Sequence, residues 1–189
     1  MLRRKKVASL VSACVALAAM VMLAGCSIEK GKDGSTEKVN IQTPMGGLNV
    51  KTDASAQDTG IAVYPGAKPK PSKEGDHGSA NVNISSPMFG VKVAAIEYVS
   101  DDSPDKVKDF YKKELAKFGN VLDCANGVTH EGRGDELTCS DKPKHPGHKT
   151  NELVVGTKQR QHIVSIEPNG NGTKFGLVYV QVRGEEGSL

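Results

Sequence analysis

Two sets of side chains in this sequence could do chemistry: the cysteines and a group of imidazoles. Cys124 and Cys139 are separated by a long stretch rather than set as C-x-x-C. A redox pair needs the second thiol poised to resolve a mixed disulfide, and this spacing does not supply it. Two separated cysteines are also an incomplete zinc site. His130, His145 and His148 are the second set, with Glu131 or Asp141 nearby in sequence. Together they could form a surface metal site, set against the simpler reading of a polar loop that happens to contain histidines. His145-Pro146-Gly147-His148 places its two imidazoles in a turn, not on one helical face as H-E-x-x-H does. No G-x-S-x-G elbow organises the serines, and no G-x-x-x-x-G-K-[ST] phosphate loop is present. The chain is therefore expected to be non-enzymatic and to need no cofactor.

The amino-terminal residues specify an address. Arg3-Arg4-Lys5-Lys6 is a basic start, and Val7 to Leu23 is an apolar run. A spanning helix needs about 20 apolar residues, and this run is shorter and carries Ser9, Ser12 and Cys14. An ordinary secretory site of the A-x-A kind is a poorer match to the end of the run than a lipoprotein site. Leu23-Ala24-Gly25-Cys26 resembles the bacterial lipobox. That resemblance implies cleavage after Gly25, diacylglyceryl attachment to the thiol of Cys26, and acylation of the new amino terminus. Residues 1–25 are then a lipoprotein signal peptide, and the protein is expected in the cell envelope, tethered to a membrane through lipid on Cys26. Ser27 follows Cys26 in place of the aspartate of inner-membrane retention, which favours the outer membrane in a Gram-negative cell.

Export bears on both the thiols and the charge. Cys14 leaves with the signal and Cys26 carries lipid, so Cys124 and Cys139 remain as an isolated pair in an oxidising compartment, where a structural disulfide is expected. Closing that loop stabilises by about 3 kcal/mol on the chain-entropy view. The full chain has a net charge of +3, but four of its 25 basic residues lie in the signal, leaving 21 against 22 acidic residues, or −1. A near-neutral surface of mixed sign gives no footprint for nucleic acid.

Hydrophobic patterning then outlines the elements that must position these groups. Residues 26–60 read as the lipidated amino terminus, a polar flexible tether and a short β segment, and 61–189 as a single domain. Val39 and Ile41, then Leu48 and Val50, alternate around Pro44-Met45-Gly46-Gly47, which predicts a hairpin. Residues 39–50 and 82–93 are identical at seven of twelve positions, an internal echo that suggests a duplicated strand-turn-strand able to pair with itself or offer an edge. Ser103-Pro104-Asp105 predicts a helix start, with Ser103 as a cap. Val107, Phe110, Tyr111, Leu115 and Phe118 follow as one apolar stripe, with Lys106, Lys108, Lys112, Lys113 and Lys117 on a solvated face and Gly119 as the stop. Strands are predicted at 91–99, 121–124, 136–139, 153–155, 162–166 and 177–182, with Asn169-Gly170-Asn171-Gly172 as a turn. The expected fold is α+β: an antiparallel sheet, one amphipathic helix packed on one face, and one disulfide.

Tyr64-Pro65-Gly66-Ala67, followed by Asp102-Ser103-Pro104 and then Val107, Phe110, Tyr111 and Leu115, resembles a class of poorly characterised bacterial envelope lipoproteins. In that class a YPGA segment precedes a strand and a helix of the form D-S-P-x-x-V-x-x-F-Y. The likeness covers about Ile61 to Gly119, with Leu137-Thr138-Cys139-Ser140-Asp141 as a further piece. It implies an envelope domain that binds a partner or supports an assembly, and it brings no catalytic residue with it.

Overall fold

A computed structural model describes residues 26–30, 37–43, 45–71, 78–129, 134–141 and 151–184. The strands in the first half are β1 (Cys26–Lys30), β2 (Glu37–Thr43), β3 (Gly46–Lys51), β4 (Lys68–Pro69), β5 (Ser79–Ser85) and β6 (Gly90–Ser100). A single turn of helix, α1 (Ala56–Thr59), interrupts them. The helix α2 (Pro104–Leu115) follows, tightening to a 3-10 turn over Ala116–Phe118. Next come β7 (Leu122–Cys124), β8 (Val128–Thr129), β9 (Thr138–Cys139), β10 (Asn151–Thr157), β11 (Arg160–Asn169) and β12 (Gly172–Arg183). One antiparallel sheet runs β1-β2-β3-β5-β6-β12-β11-β10-β7, with β4 also on β6; β8 and β9 pair separately. The fold is the α+β arrangement that the patterning predicts.

The connection from β6 to β7 sets the layers. These strands are not neighbours, so the chain must cross β12, β11 and β10, and α2 makes that crossing on one face. Val107, Tyr111 and Leu115 are fully buried against Leu153, Val164, Ile166, Phe175 and Leu177. Phe110 and Phe118, at the margins of the stripe, are only half-buried. Ser103 holds the N-cap position with extended backbone, but its side chain makes no capping bond; Pro104, which has no N–H to satisfy, begins the helix instead. Lys112 is exposed as expected, while Lys108 is partly buried. They converge on Asp123 of β7 at 2.8 and 2.9 Å and pin the helix to the edge of the sheet. Burial opposes ionisation of Asp123, but the two ammonium groups more than offset it and its pKa is lowered.

The YPGA turn and the start of the helix are tied together. Tyr64 donates its hydroxyl to Asp102 at 2.9 Å, and its backbone N–H donates to the Tyr111 hydroxyl at 3.0 Å. Thr173 of β12 donates to the Asp102 carbonyl at 2.7 Å. On the opposite face of the sheet the Cys124–Cys139 disulfide closes, with Cα atoms 5.3 Å apart. Beneath it Val128 and Leu137 pack with Cys124 on Val154, a small second core.

The echoed segments are two adjacent hairpins, β2–β3 and β5–β6, joined by β3 pairing with β5. Register aligns Val39, Val50, Val82 and Val93 in one row and Ile41, Leu48, Ile84 and Val91 in the next. The stretch read as a tether contributes β1 over Cys26–Lys30, hydrogen-bonded to β2 with Cys26 opposite Ile41. Among the described residues no helix is long and apolar enough to cross a membrane.

The layering predicts a sharp contrast in stability. Leu115→Ala should cost about 2–5 kcal/mol. Lys113→Ala, on the exposed side of the same helix, should change stability by less than about 0.5 kcal/mol. Denaturant midpoints compare them directly, and equal midpoints would show that α2 does not pack on the sheet.

Candidate functional site

Helix α2 does not reach across the whole sheet, and the uncovered part of its face is polar. One row of register partners there reads Asn40, Asn49, Asn83, Lys92, Gln181 and Arg160. At the β12–β11 side this row opens into a cleft of about 850 Å³. One wall is α1 with Gly60, another is the β10–β11 turn, and the floor is Lys92, His162, Tyr179, Gln181 and Arg183.

Local structure holds each wall. Ser55 donates both its backbone N–H and its hydroxyl to Asp58 Oδ2 at 2.9 Å, fixing α1. These bonds, the backbone one foremost, hold the Asp58 carboxyl below its usual pKa. Gly156 has φ +122°, and a Cβ there would lie 2.1 Å from the Arg160 carbonyl oxygen, so the β10–β11 turn closes only on glycine. The turn is fixed from outside as well: Lys158 donates its backbone N–H to the Asp135 carbonyl at 3.0 Å, and Val182 donates to Gln159 at 2.8 Å.

His162 is the central side chain. Its ring stacks on Phe118 with centroids 3.9 Å apart and planes at 13°, and the Tyr179 ring lies 5.0 Å away. Burial, then the charges of Arg160 and Lys117, push its pKa down. The imidazole is therefore neutral near pH 7 and forms part of an aromatic wall. Lys92 sits 5.8 Å from the Tyr179 ring centroid. Lys92, Arg160 and Arg183 form no ion pair among the described residues; Asp58, the one carboxylate of the lining, is held by Ser55 and stays anionic, with the charge of Lys92 acting on it, so three cations outnumber one negative charge. The result is an open cleft with cations on its floor and an aromatic side, suited to an anionic group attached to a flat or apolar body.

The residues singled out in the sequence lie elsewhere. Cys124 and Cys139 form the disulfide on the other face, at the second core. Cys26 begins β1 at the sheet edge. His130, His145 and His148 lie outside the described residues, as do His77 and Glu131, and Asp141 is exposed. Among the described residues no group of three or more His, Cys, Asp or Glu is placed to hold a metal ion. The cleft residues were missed because they come from strands far apart in sequence; Arg160-x-His162 alternation is the only local trace. Comparison of the chain with protein-family models, curated proteins and solved structures gives no match in any of the three.

The His162 environment has a pH consequence. Its folded pKa is below the unfolded value of about 6.5, so its contribution is full above that pH and is lost as the unfolded chain takes up the proton first. Stability should fall as pH drops below about 6.5, and His162→Phe should flatten that part of the profile. Parallel slopes for the two proteins would remove His162 as the cause.

Proposed function

We propose that this chain is a bacterial cell-envelope lipoprotein, anchored to a membrane through lipid on Cys26, whose α+β domain is a non-catalytic binding module. Its ligand is an anionic group on an envelope partner, received in the cleft. The observation that carries the binding reading is the excess of Lys92, Arg160 and Arg183 over the single carboxylate Asp58 in the cleft lining, beside the Phe118–His162–Tyr179 wall. Cations sharing a concave, partly apolar surface focus their potential on one volume, which draws an acidic group in and orients it. The lipobox at Leu23-Ala24-Gly25-Cys26 supports the anchoring.

The two halves of this reading have separate tests. Cys26→Ser should abolish incorporation of labelled palmitate and move the protein from the detergent phase to the aqueous phase; unchanged partitioning would refute the anchor.

For the cleft, a fluorescent oligoglutamate peptide serves as the probe. Its affinity should fall as salt is raised, and by about tenfold or more in Lys92→Ser/Arg160→Ser. Equal binding by the variant and the parent would remove the cleft from consideration.

A further inference from the structure

Five large apolar side chains stand exposed among the described residues, and four of them, Met45, Met88, Phe89 and Val182, gather at one end of the sheet. Register fixes that end. The β2–β3 hairpin turns between Thr43 and Gly46, the β5–β6 hairpin turns between Ser85 and Gly90, and Gly47 pairs with Ser85, so the two tips are neighbours. They touch backbone to backbone: a Cβ on Gly46, whose φ is +151°, would lie 2.3 Å from the Ser85 carbonyl oxygen. Arg183 pairs with Gly90, and Gly184 packs against the Met88 carbonyl.

The two tips are built alike. Thr43 donates its hydroxyl to the Gly46 carbonyl at 2.9 Å, and Ser86 donates to the Phe89 carbonyl at 3.0 Å. Each carries the same Pro-Met pair, Pro44-Met45 and Pro87-Met88. Met45 is 78% exposed and Met88 76%. A lone exposed methionine means little. Here the echo places two at equivalent positions on neighbouring tips, with Phe89 exposed in the second tip.

Cys26 is at this same end. It stands in register with Ile41, two residues from the turn at Thr43, so at about 3.4 Å per residue its backbone lies within roughly 10 Å of the tips along the strand direction. Because Cys26 is already in a strand, a lipid on it leaves no free chain between bilayer and sheet.

We infer that the paired hairpin tips, Met45 with Met88 and Phe89, are a second membrane contact that enters the bilayer interface beside the lipidated Cys26. This rests on the anchoring proposed above. Buried side chains of this kind sit about 5–10 Å into the headgroup boundary. The Arg183 guanidinium, at the edge of the cleft, lies across Gly90 within 3.3 Å of where a Cβ would be. The strands then stand away from the membrane, and the Asn169–Gly172 turn at the far end of β12 is roughly 35 Å from the surface.

The chain contains no tryptophan, so a single introduced indole reports without background. Met88→Trp, Met45→Trp and, as the distant control, Asn171→Trp would be prepared as full-length protein processed in the cell. Each would be reconstituted in vesicles of phosphatidylethanolamine and phosphatidylglycerol carrying acyl-brominated lipid, and acylation of Cys26 would be read by mass spectrometry. The tip reporters should emit to the blue and be quenched severalfold more than Asn171→Trp. With Cys26 acylated, tip reporters quenched no more than the control would overturn the membrane contact while leaving the anchor standing. A blue shift without bromolipid quenching would also overturn it, pointing to a second copy or another protein on the tips. Unmodified Cys26 would overturn the anchor and the inference together. Two tip reporters guard against one substitution failing to fold.

Discussion

The Tyr111 side chain is where the domain is joined. It is fully buried, its ring lies 5.0 Å from Phe110 and 5.4 Å from Phe175, and its hydroxyl accepts the backbone N–H of Tyr64. One residue therefore connects helix, sheet and the YPGA turn. Burial raises the pKa of that hydroxyl, so the phenol stays neutral in place. Around it, Tyr64 and Phe175 meet at 6.4 Å and Tyr98 stacks on Phe175 at 5.6 Å, an aromatic group that fills the space between layers. The Tyr64–Asp102 bond and the Thr173 bond to the Asp102 carbonyl then set where α2 leaves the sheet.

The direction of α2 in turn creates the cleft. Because the helix must reach β7 at the far edge, it covers β10, β11 and part of β12 and does not extend over the meander of echoed hairpins, where among the described residues only α1 packs, at β6. The sequence of the meander agrees with this. Its valine, isoleucine and leucine rows point to the face opposite the helix, and asparagines occupy the face beside it. The polar row continues into Lys92, Gln181 and Arg160, so the cationic floor is where an asparagine-lined surface meets the end of the helix layer.

The two halves of the domain are stabilised by different means. In the β10–β12 half the sheet is covered on both faces near Leu153-Val154-Val155, by α2 on one side and by the disulfide-closed segment on the other. Such a strand reads as a continuous apolar run because both faces are buried. The amino-terminal half consists of antiparallel ladders with alternating faces, and among the described residues only the single-turn α1 packs on it, at β6.

Local pattern determined most of the elements. The stripe on α2, the longer strands, the hairpin turns and the isolated cysteine pair follow from periodicity, turn chemistry and composition, which act between neighbours in sequence, whereas β1, read as tether, and the short α1, β4 and β8 do not. The proposed lipobox, Leu23-Ala24-Gly25-Cys26, is likewise contiguous. Tertiary structure alone decided which stripe residues are deepest, that Lys108 and Lys112 share Asp123, and that the two echoed hairpins lie side by side. It also brought together Lys92, His162, Tyr179 and Arg183, which belong to three strands. Cross-strand register and the path of α2 depend on packing across the whole chain, and no window of the sequence contains that information.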